Sequence, residues 1–322
     1  MTDLIHNCDD AALLAESNGC SVYQFRNETG EGVMTVYKVF PGVTLSYNDF
    51  HMEYYDSVFH PGKEVFCIDH CREGRLEYTA KDNAYSYVES GDLKLDRRLT
   101  HTGQFVLPLS HYHGITIAFD LAEAAQSVSG AIKGFTVDLC GLQKKFCPGI
   151  YPVVLRSLQS ADHIFSELYA VPQKIRQMYF KIKVLELLLY LDALELTQDS
   201  EEKPYFYKSQ VEKVRAIRRF MEEHMEETYT QEELSKRFGI SLTMMKKCFF
   251  IMYGTTMGAW LTSYRMNQAA VLLKSGQSLN VAEIAGRVGY DSPSKFAAAF
   301  RKVMKKSPTE YRNSRIPEGG LQ

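Results

Sequence analysis

The carboxy-terminal third of the chain repeats itself, and this repeat restricts the possible folds more than any other feature. Thr230, Glu233, Leu234, Phe238 and Gly239 recur fifty positions later as Asn280, Glu283, Ile284, Val288 and Gly289. With one extra residue in the second turn, Ser241, Met245 and Phe249 recur as Ser292, Phe296 and Phe300. Each copy spells a short helix, a glycine turn and a second helix. Thr230 with Glu233, and Asn280 with Glu283, are the reciprocal caps that satisfy the unpaired amides of a first helical turn. Gly239 and Gly289 stand where that helix must stop in a left-handed conformation. Ser292-Pro293 supplies an N-cap followed by proline at the first helical position. The pattern predicts helix-turn-helix units over about 230–252 and 281–303, joined by a linker helix over about 256–274 that ends at Gly276. At ~1.5 Å per residue that linker is a rod of roughly 28 Å.

The second helix of such a unit fits the DNA major groove, where side chains on its outer face reach base edges. Met245 and Phe249 mark the buried face of the first of these helices, leaving Leu242, Thr243, Lys246 and Lys247 outward. The equivalent positions in the second are Ser294, Lys295, Ala297, Ala298 and Arg301. Charge agrees with a phosphate-facing role. Residues 208–315 hold 19 Lys and Arg against 10 Asp and Glu, a net of +9, which leaves −11 for the rest of a chain whose total is −2. An acidic module is thus joined to a basic one. The four glutamates 222, 223, 226 and 227 read as a solvated acidic face only.

Residues 209–313 resemble the DNA-binding domain of the AraC/XylS family of bacterial transcription regulators. The matching residues are SxxxMxKxFxxxxG from Ser241 to Gly254, Tyr264-Arg265 with Ala269, AxxxGYxSPSxF from Ala285 to Phe296, and SPTEYR from Ser307 to Arg312. Two positions depart from the family's pattern: Ala298 stands where arginine is usual, and Lys305 where glycine is usual. Loss of a bidentate guanidinium removes ~1 to 3 kcal/mol of base discrimination. The first unit is therefore expected to dominate sequence reading, and the second to contribute phosphate contacts through Lys295, Arg301, Lys302 and Lys306. The resemblance also implies contact with RNA polymerase and action more often as an activator.

From 22 to about 120, short segments rich in Val, Ile, Tyr and Phe alternate with turn signals such as Pro41-Gly42, Pro61-Gly62, Asp82-Asn83 and Gly91-Asp92. This predicts an all-β sandwich or barrel, and the family resemblance makes it a cupin-like barrel. Strand parity aims His70 and His113 inward. Three readings stay open: a metal centre of His70, His111 and His113 with Cys67 or Cys71; an effector pocket of Tyr37, Tyr47, Phe66, His70, Tyr78 and His113; or structural histidines. No cofactor is expected beyond an unknown small-molecule effector.

Helical patterning follows over about 121–197. Within 174–196, Ile175, Met178, Ile182, Leu185 and Leu189 form one apolar stripe, and Val184, Leu187, Leu191 and Leu194 another. Two apolar faces need two partners, so the first stripe is expected at a homodimer interface. The acidic stretch 197–209, interrupted by Pro204, reads as a linker, with domains 1–204 for sensing and dimerisation and 205–322 for DNA binding. The expected class is therefore α+β multidomain, ending in an all-α domain. Seven irregularly spaced cysteines, Cys8, Cys20, Cys67, Cys71, Cys140, Cys147 and Cys248, make no paired framework and read as reduced thiols. The densest apolar run, 184–191, is too short to span a bilayer; a soluble cytoplasmic regulator, not an enzyme, is expected. The rival readings are a metal-binding cupin-type enzyme fused to a DNA-binding domain, and a ligand-independent regulator controlled by a protein partner.

Overall fold

Strands rich in β-branched and aromatic residues bury one set of alternating side chains against helices and the other set against small sheets. In the computed structural model the described residues are 11–17, 19–57, 63–80, 82, 84–99, 101–156, 158–195, 205–275 and 279–314. The expected turn Pro61-Gly62, Asn83, Cys8, Gly276 and most of the expected linker lie outside them. Strands β1 (Ala11–Ser17), β2 (Cys20–Asn27), β3 (Gly30–Phe40), β4 (Val43–His51), β6 (Val65–Gly74), β9 (Leu93–Asp96), β11 (Tyr112–Asp120) and β12 (Val153–Leu155) form one antiparallel sheet in the order β1-β2-β3-β4-β11-β6-β9-β12. Strand β5 (Tyr54–Ser57) pairs with β10 (Gly103–Val106), and β8 (Ala84–Val88) sits between β7 (Leu76–Thr79) and β13 (Phe206–Tyr207).

Among the described residues the sheet is open, with β1 and β12 as its two edges, so the expected closed barrel is corrected to a mostly β unit of three sheets. Closure depends on tilt and register between strands distant in sequence, which alternation along one strand does not encode. The β region also begins at Ala11, earlier than 22, and β12 interrupts the segment expected to be helical.

Helices α1 (Leu121–Ser129), α2 (Leu139–Phe146), α3 (Gln159–Tyr169) and α4 (Arg176–Ala193) follow the sheet. Their apolar faces share a core with Val43, Leu45, Phe66, Ile68, Ile115, Ile117 and Phe119 of one sheet face. The opposite face packs Phe25, Phe50 and Tyr112 against Phe105 and Tyr55. On α4, Val184, Leu187 and Leu191 are fully buried, while Ile175, Met178, Ile182 and Leu189 are 47%, 64%, 57% and 53% exposed. Leu185 departs from its expected stripe: only 6% exposed, it belongs to the core. The buried arc is wider than one stripe because α3 packs alongside α4 as well.

The chain divides into units Met1–Tyr207 and Lys208–Gln322. The division falls three residues beyond the expected 204/205 boundary, because Phe206–Tyr207 pair with β8. Among the described residues the second unit is all helical: α5 (Lys208–Glu223), α6 (Gln231–Phe238), α7 (Leu242–Tyr253), α8 (Met257–Lys274), α9 (Val281–Arg287), α10 (Pro293–Met304) and α11 (Pro308–Asn313). Among the described residues no helix is long and apolar enough to cross a membrane.

Candidate nucleic-acid interface

From α6 onward, each helix start in the second unit is set by a local cap. Thr230 accepts from the Glu233 amide while the Glu233 carboxylate accepts from the Thr230 amide, and Asn280 with Glu283 does the same for α9. Ser241 and Ser292 cap α7 and α10, and Ser307 with Glu310 forms a third reciprocal cap on α11. Gly239 ends α6 at φ +59° and Gly289 follows α9 at φ +77°. At Gly289 a second constraint applies. A Cβ there would meet the Arg265 guanidinium at 2.7 Å and the Met225 carbonyl at 2.8 Å, so no larger residue fits.

Arg265 explains that crowding. Its Nε donates to the Met225 carbonyl at 2.6 Å, and a terminal nitrogen donates to the Glu227 carbonyl at 2.7 Å. The guanidinium also lies 5.9 Å from the Tyr290 ring centroid. One side chain of α8 thus ties the α5–α6 connection to the turn between α9 and α10. The Tyr-Arg and Gly-Tyr motifs, far apart in sequence, meet here.

α7 buries Met245, Cys248, Phe249, Met252 and Tyr253, and α10 buries Phe296 and Phe300. The opposite faces are open. Thr243, Lys246 and Lys247 are exposed with Leu242 half-buried; Ser294, Lys295, Ala298, Arg301, Lys302 and Lys306 are exposed with Ala297 half-buried. Sequence reading missed Phe250, which is 49% exposed one turn beyond Lys246. Continuing the Thr243–Lys246 stripe by one further turn reaches it. An exposed aromatic there suits contact with a thymine methyl group.

Lys305, in the position usually held by glycine, caps α10 at φ +61°. A left-handed residue with a Cβ costs ~1 to 2 kcal/mol, whereas glycine gives back about 0.4 to 1 kcal/mol through the freer unfolded chain. Lys305→Gly should therefore raise the unfolding free energy by about 0.5 to 1 kcal/mol in chemical denaturation. A lower midpoint would contradict the strain.

The six residues of the expected effector pocket do not line one cavity: Tyr37, Tyr47, Phe66 and His70 lie on the helical side, and Tyr78 and His113 lie elsewhere. Tyr37 and Tyr47 pack on Phe180, and the Tyr47 hydroxyl donates to the Leu168 carbonyl at 2.5 Å. Phe66 is fully buried in the same core. His70 stacks on Phe165 with centroids 4.1 Å apart, its Nδ1 is 3.1 Å from the Tyr169 hydroxyl, and burial lowers its pKa to about 4. Tyr78 lies on the other face, and His113 sits beside Asp49 at the sheet's end. Helices fill the space that parity alone leaves open. The expected metal set separates for the same reason: His70 faces the helical core, whereas Cys67 and Cys71 point to the opposite face. Burial raises the Cys67 thiol to about 11.

That opposite face holds a cavity of about 150 Å³, lined among others by Phe25, Phe50, Tyr55 and Tyr112 with Ser46, Asn48 and Thr116. The Asn48 amide donates to the Thr116 hydroxyl at 2.9 Å, and that hydroxyl donates to Asp69 at 2.7 Å. None of the six expected pocket residues lines it.

A family model described as a helix-turn-helix domain matches residues 234–314. Over 104 residues the chain is 29% identical to the virulence regulon transcriptional activator VirF of Yersinia enterocolitica, covering 32% of this chain and 38% of that protein. Over 87 residues it is 34% identical to the HTH-type transcriptional regulator AlkR of Acinetobacter baylyi, covering 27% and 28%. The solved C-terminal domain of AraT, a response regulator from Geobacillus stearothermophilus, is 32% identical, with 34% of this chain and 91% of that one covered and a TM-score of 0.31. The chain spans well under half the length of these curated relatives. The carboxy-terminal unit, capped and braced in this way, therefore holds a helix-turn-helix domain over residues 234–314 and is similar in sequence to the matching part of these transcriptional regulators.

Proposed function

We propose that the chain is a sequence-specific DNA-binding transcription regulator, with α7 and α10 as recognition helices of two helix-turn-helix units that enter successive major grooves of promoter DNA. The observation that carries this reading is the pair of matched, capped helices whose outward faces expose Lys246, Lys247, Lys295 and Arg301. The 18 residues of α8 span ~27 Å at 1.5 Å each, compatible with the ~34 Å repeat of the duplex. Selection of bound duplexes from a random pool tests it. A recurrent motif with two half-sites about one helical turn apart is expected, and recovery of unrelated sequences would refute it. Action as an activator, which the name of the relative VirF states for that protein, and contact with RNA polymerase belong to the same reading.

Effector sensing falls to the first unit, and the 150 Å³ cavity is its best site. A space of that size admits a benzene-sized molecule. Its aromatic walls and Ser46–Asn48–Thr116 polar strip favour a small neutral ring bearing one or two hydrogen-bonding groups. Such an effector shifts DNA binding only by binding one arrangement of the protein more tightly than another.

The exposed stripe Ile175, Met178, Ile182 and Leu189 supports pairing of two chains through α4. Ile182→Asp should then convert a dimer to a monomer in sedimentation without loss of folding. Leu185→Asp, by contrast, places a charge in the core and should unfold the unit. An unchanged sedimentation coefficient for Ile182→Asp rejects the interface.

A further inference from the structure

The pairing of β4 with β11 sets His113 directly opposite Asp49. Asp49 and His51, two residues apart on one strand, share its face. Asp49 Oδ1 lies 2.9 Å from His51 Nε2 and 3.1 Å from His113 Nε2, and all three atoms fall within 4.8 Å of one another. Bonds of ~2.1 Å to a common ion put neighbouring ligand atoms roughly 3.0 to 3.4 Å apart. Both separations from Asp49 fit that spacing, and the two imidazole nitrogens lie within 4.8 Å of each other.

We propose that Asp49, His51 and His113 bind one divalent transition-metal ion at the end of the β4–β11 ladder. The second observation is His113 Nε2 itself. It is buried and has no hydrogen-bond partner among the described residues, because the nearby Asp49 oxygen has the distance but not the angle of a hydrogen bond. A buried ring nitrogen without a partner is costly; a coordinated ion satisfies it. Asp49 and His51 are 58% and 60% exposed, so an ion can enter and water can complete its coordination.

A further imidazole stands ready. His111 lies 6.0 Å from His113 between ring centroids, and its Nδ1 is 3.0 Å from the Leu109 carbonyl. A carbonyl only accepts, so the ring proton stays on Nδ1 and Nε2 keeps its lone pair, the arrangement usual for a ligating histidine. Two imidazoles and a carboxylate favour ions of the Zn²⁺, Co²⁺ and Ni²⁺ class over Mg²⁺ or Ca²⁺, which prefer all-oxygen shells. The site is independent of the DNA-binding reading and differs from the set expected from sequence, sharing only His113 and, at its margin, His111.

Zn²⁺ titrated by calorimetry into tag-free, chelator-treated full-length protein tests the proposal, with Co²⁺ absorption as a second readout of nitrogen ligation. About one equivalent should bind saturably below roughly 100 µM. Asp49→Asn and His51→Ala, both at exposed positions that leave the fold intact, should each weaken binding at least about tenfold. Cys140→Ser, an exposed thiol elsewhere, should change nothing. No saturable binding at that concentration overturns the assignment, and so does binding that survives the combined Asp49→Asn/His51→Ala change.

Discussion

Raising the salt concentration from about 50 to about 200 mM should weaken DNA binding roughly a thousandfold. Six exposed cations, Lys246, Lys247, Lys295, Arg301, Lys302 and Lys306, line the outward faces of α7 and α10 and the turn after α10. Each phosphate neutralised contributes ~0.9 to the slope of log affinity against log salt, so six give a slope of roughly −5. Fluorescence anisotropy across a salt series measures it directly. Lys306→Ala should lower the slope by about 1 on specific and non-specific duplexes alike. Lys247→Ala should weaken specific binding more than non-specific, because its outward position on α7 is the one proposed to face base edges. Equal losses on both remove Lys247 from base reading, and a flat salt series removes the two faces from the interface altogether.

Asp69→Asn should destabilise the first unit by about 3 to 5 kcal/mol, a large share of a typical total of about 5 to 15. Asp69, Lys94, Asp96 and Arg98 are 4%, 1%, 3% and 8% exposed. Arg98 donates to Asp69 at 2.6 Å, and Lys94 lies 3.2 Å from Asp69 and 2.9 Å from Asp96. Two carboxylates thus cancel two cations in a largely buried cluster whose Asp69 and Arg98 border the cavity. The asparagine variant leaves two buried cations against one carboxylate. Asp69→Asn with Lys94→Met restores neutrality and should recover part of the loss; urea denaturation of the two variants checks both steps. No recovery would show that packing, not charge balance, governs the site.

The same groups set the acid response. Burial would raise Asp69 and Asp96, but Arg98 and Lys94 outweigh it and hold both carboxyls below their usual range. Their contribution is complete above the unfolded value of ~3.9 and is lost as pH falls through the folded values. Burial also depresses His70, to about 4, and His101, which Arg98 and Lys94 lower further. An unfolded chain protonates these histidines first, so stability should begin to fall below pH ~6.5 and fall again below ~4.

Much of the second unit was legible because its determinants are local. A capping serine, the glutamate three residues on and the glycine that ends a helix act within one or two turns, so Thr230, Gly239, Asn280 and Ser292 could be assigned from spacing alone. Lys305 marks the limit: its departure from glycine was visible, but that it sits at φ +61° was not. Nor does the sequence reveal that Arg265 crosses from α8 to carbonyls forty residues away.

In the first unit parity placed Phe66, Ile68 and His70 on one face of β6, yet what lies above that face was hidden. Helices α3 and α4 cover it with Phe165 and Phe180, so the expected pocket is solid core and the cavity opens on the other side. The capped helix pairs, the basic faces and the alternating strands are written in local sequence, since each follows from interactions between near neighbours. Tertiary structure alone decided that the sheet stays open, that Leu185 is buried, that four charges meet in the interior, and that Asp49 and His51 meet His113. Those outcomes depend on helix packing and on register between strands that for Asp49 and His113 lie some sixty residues apart, relations that no periodicity along a single strand carries.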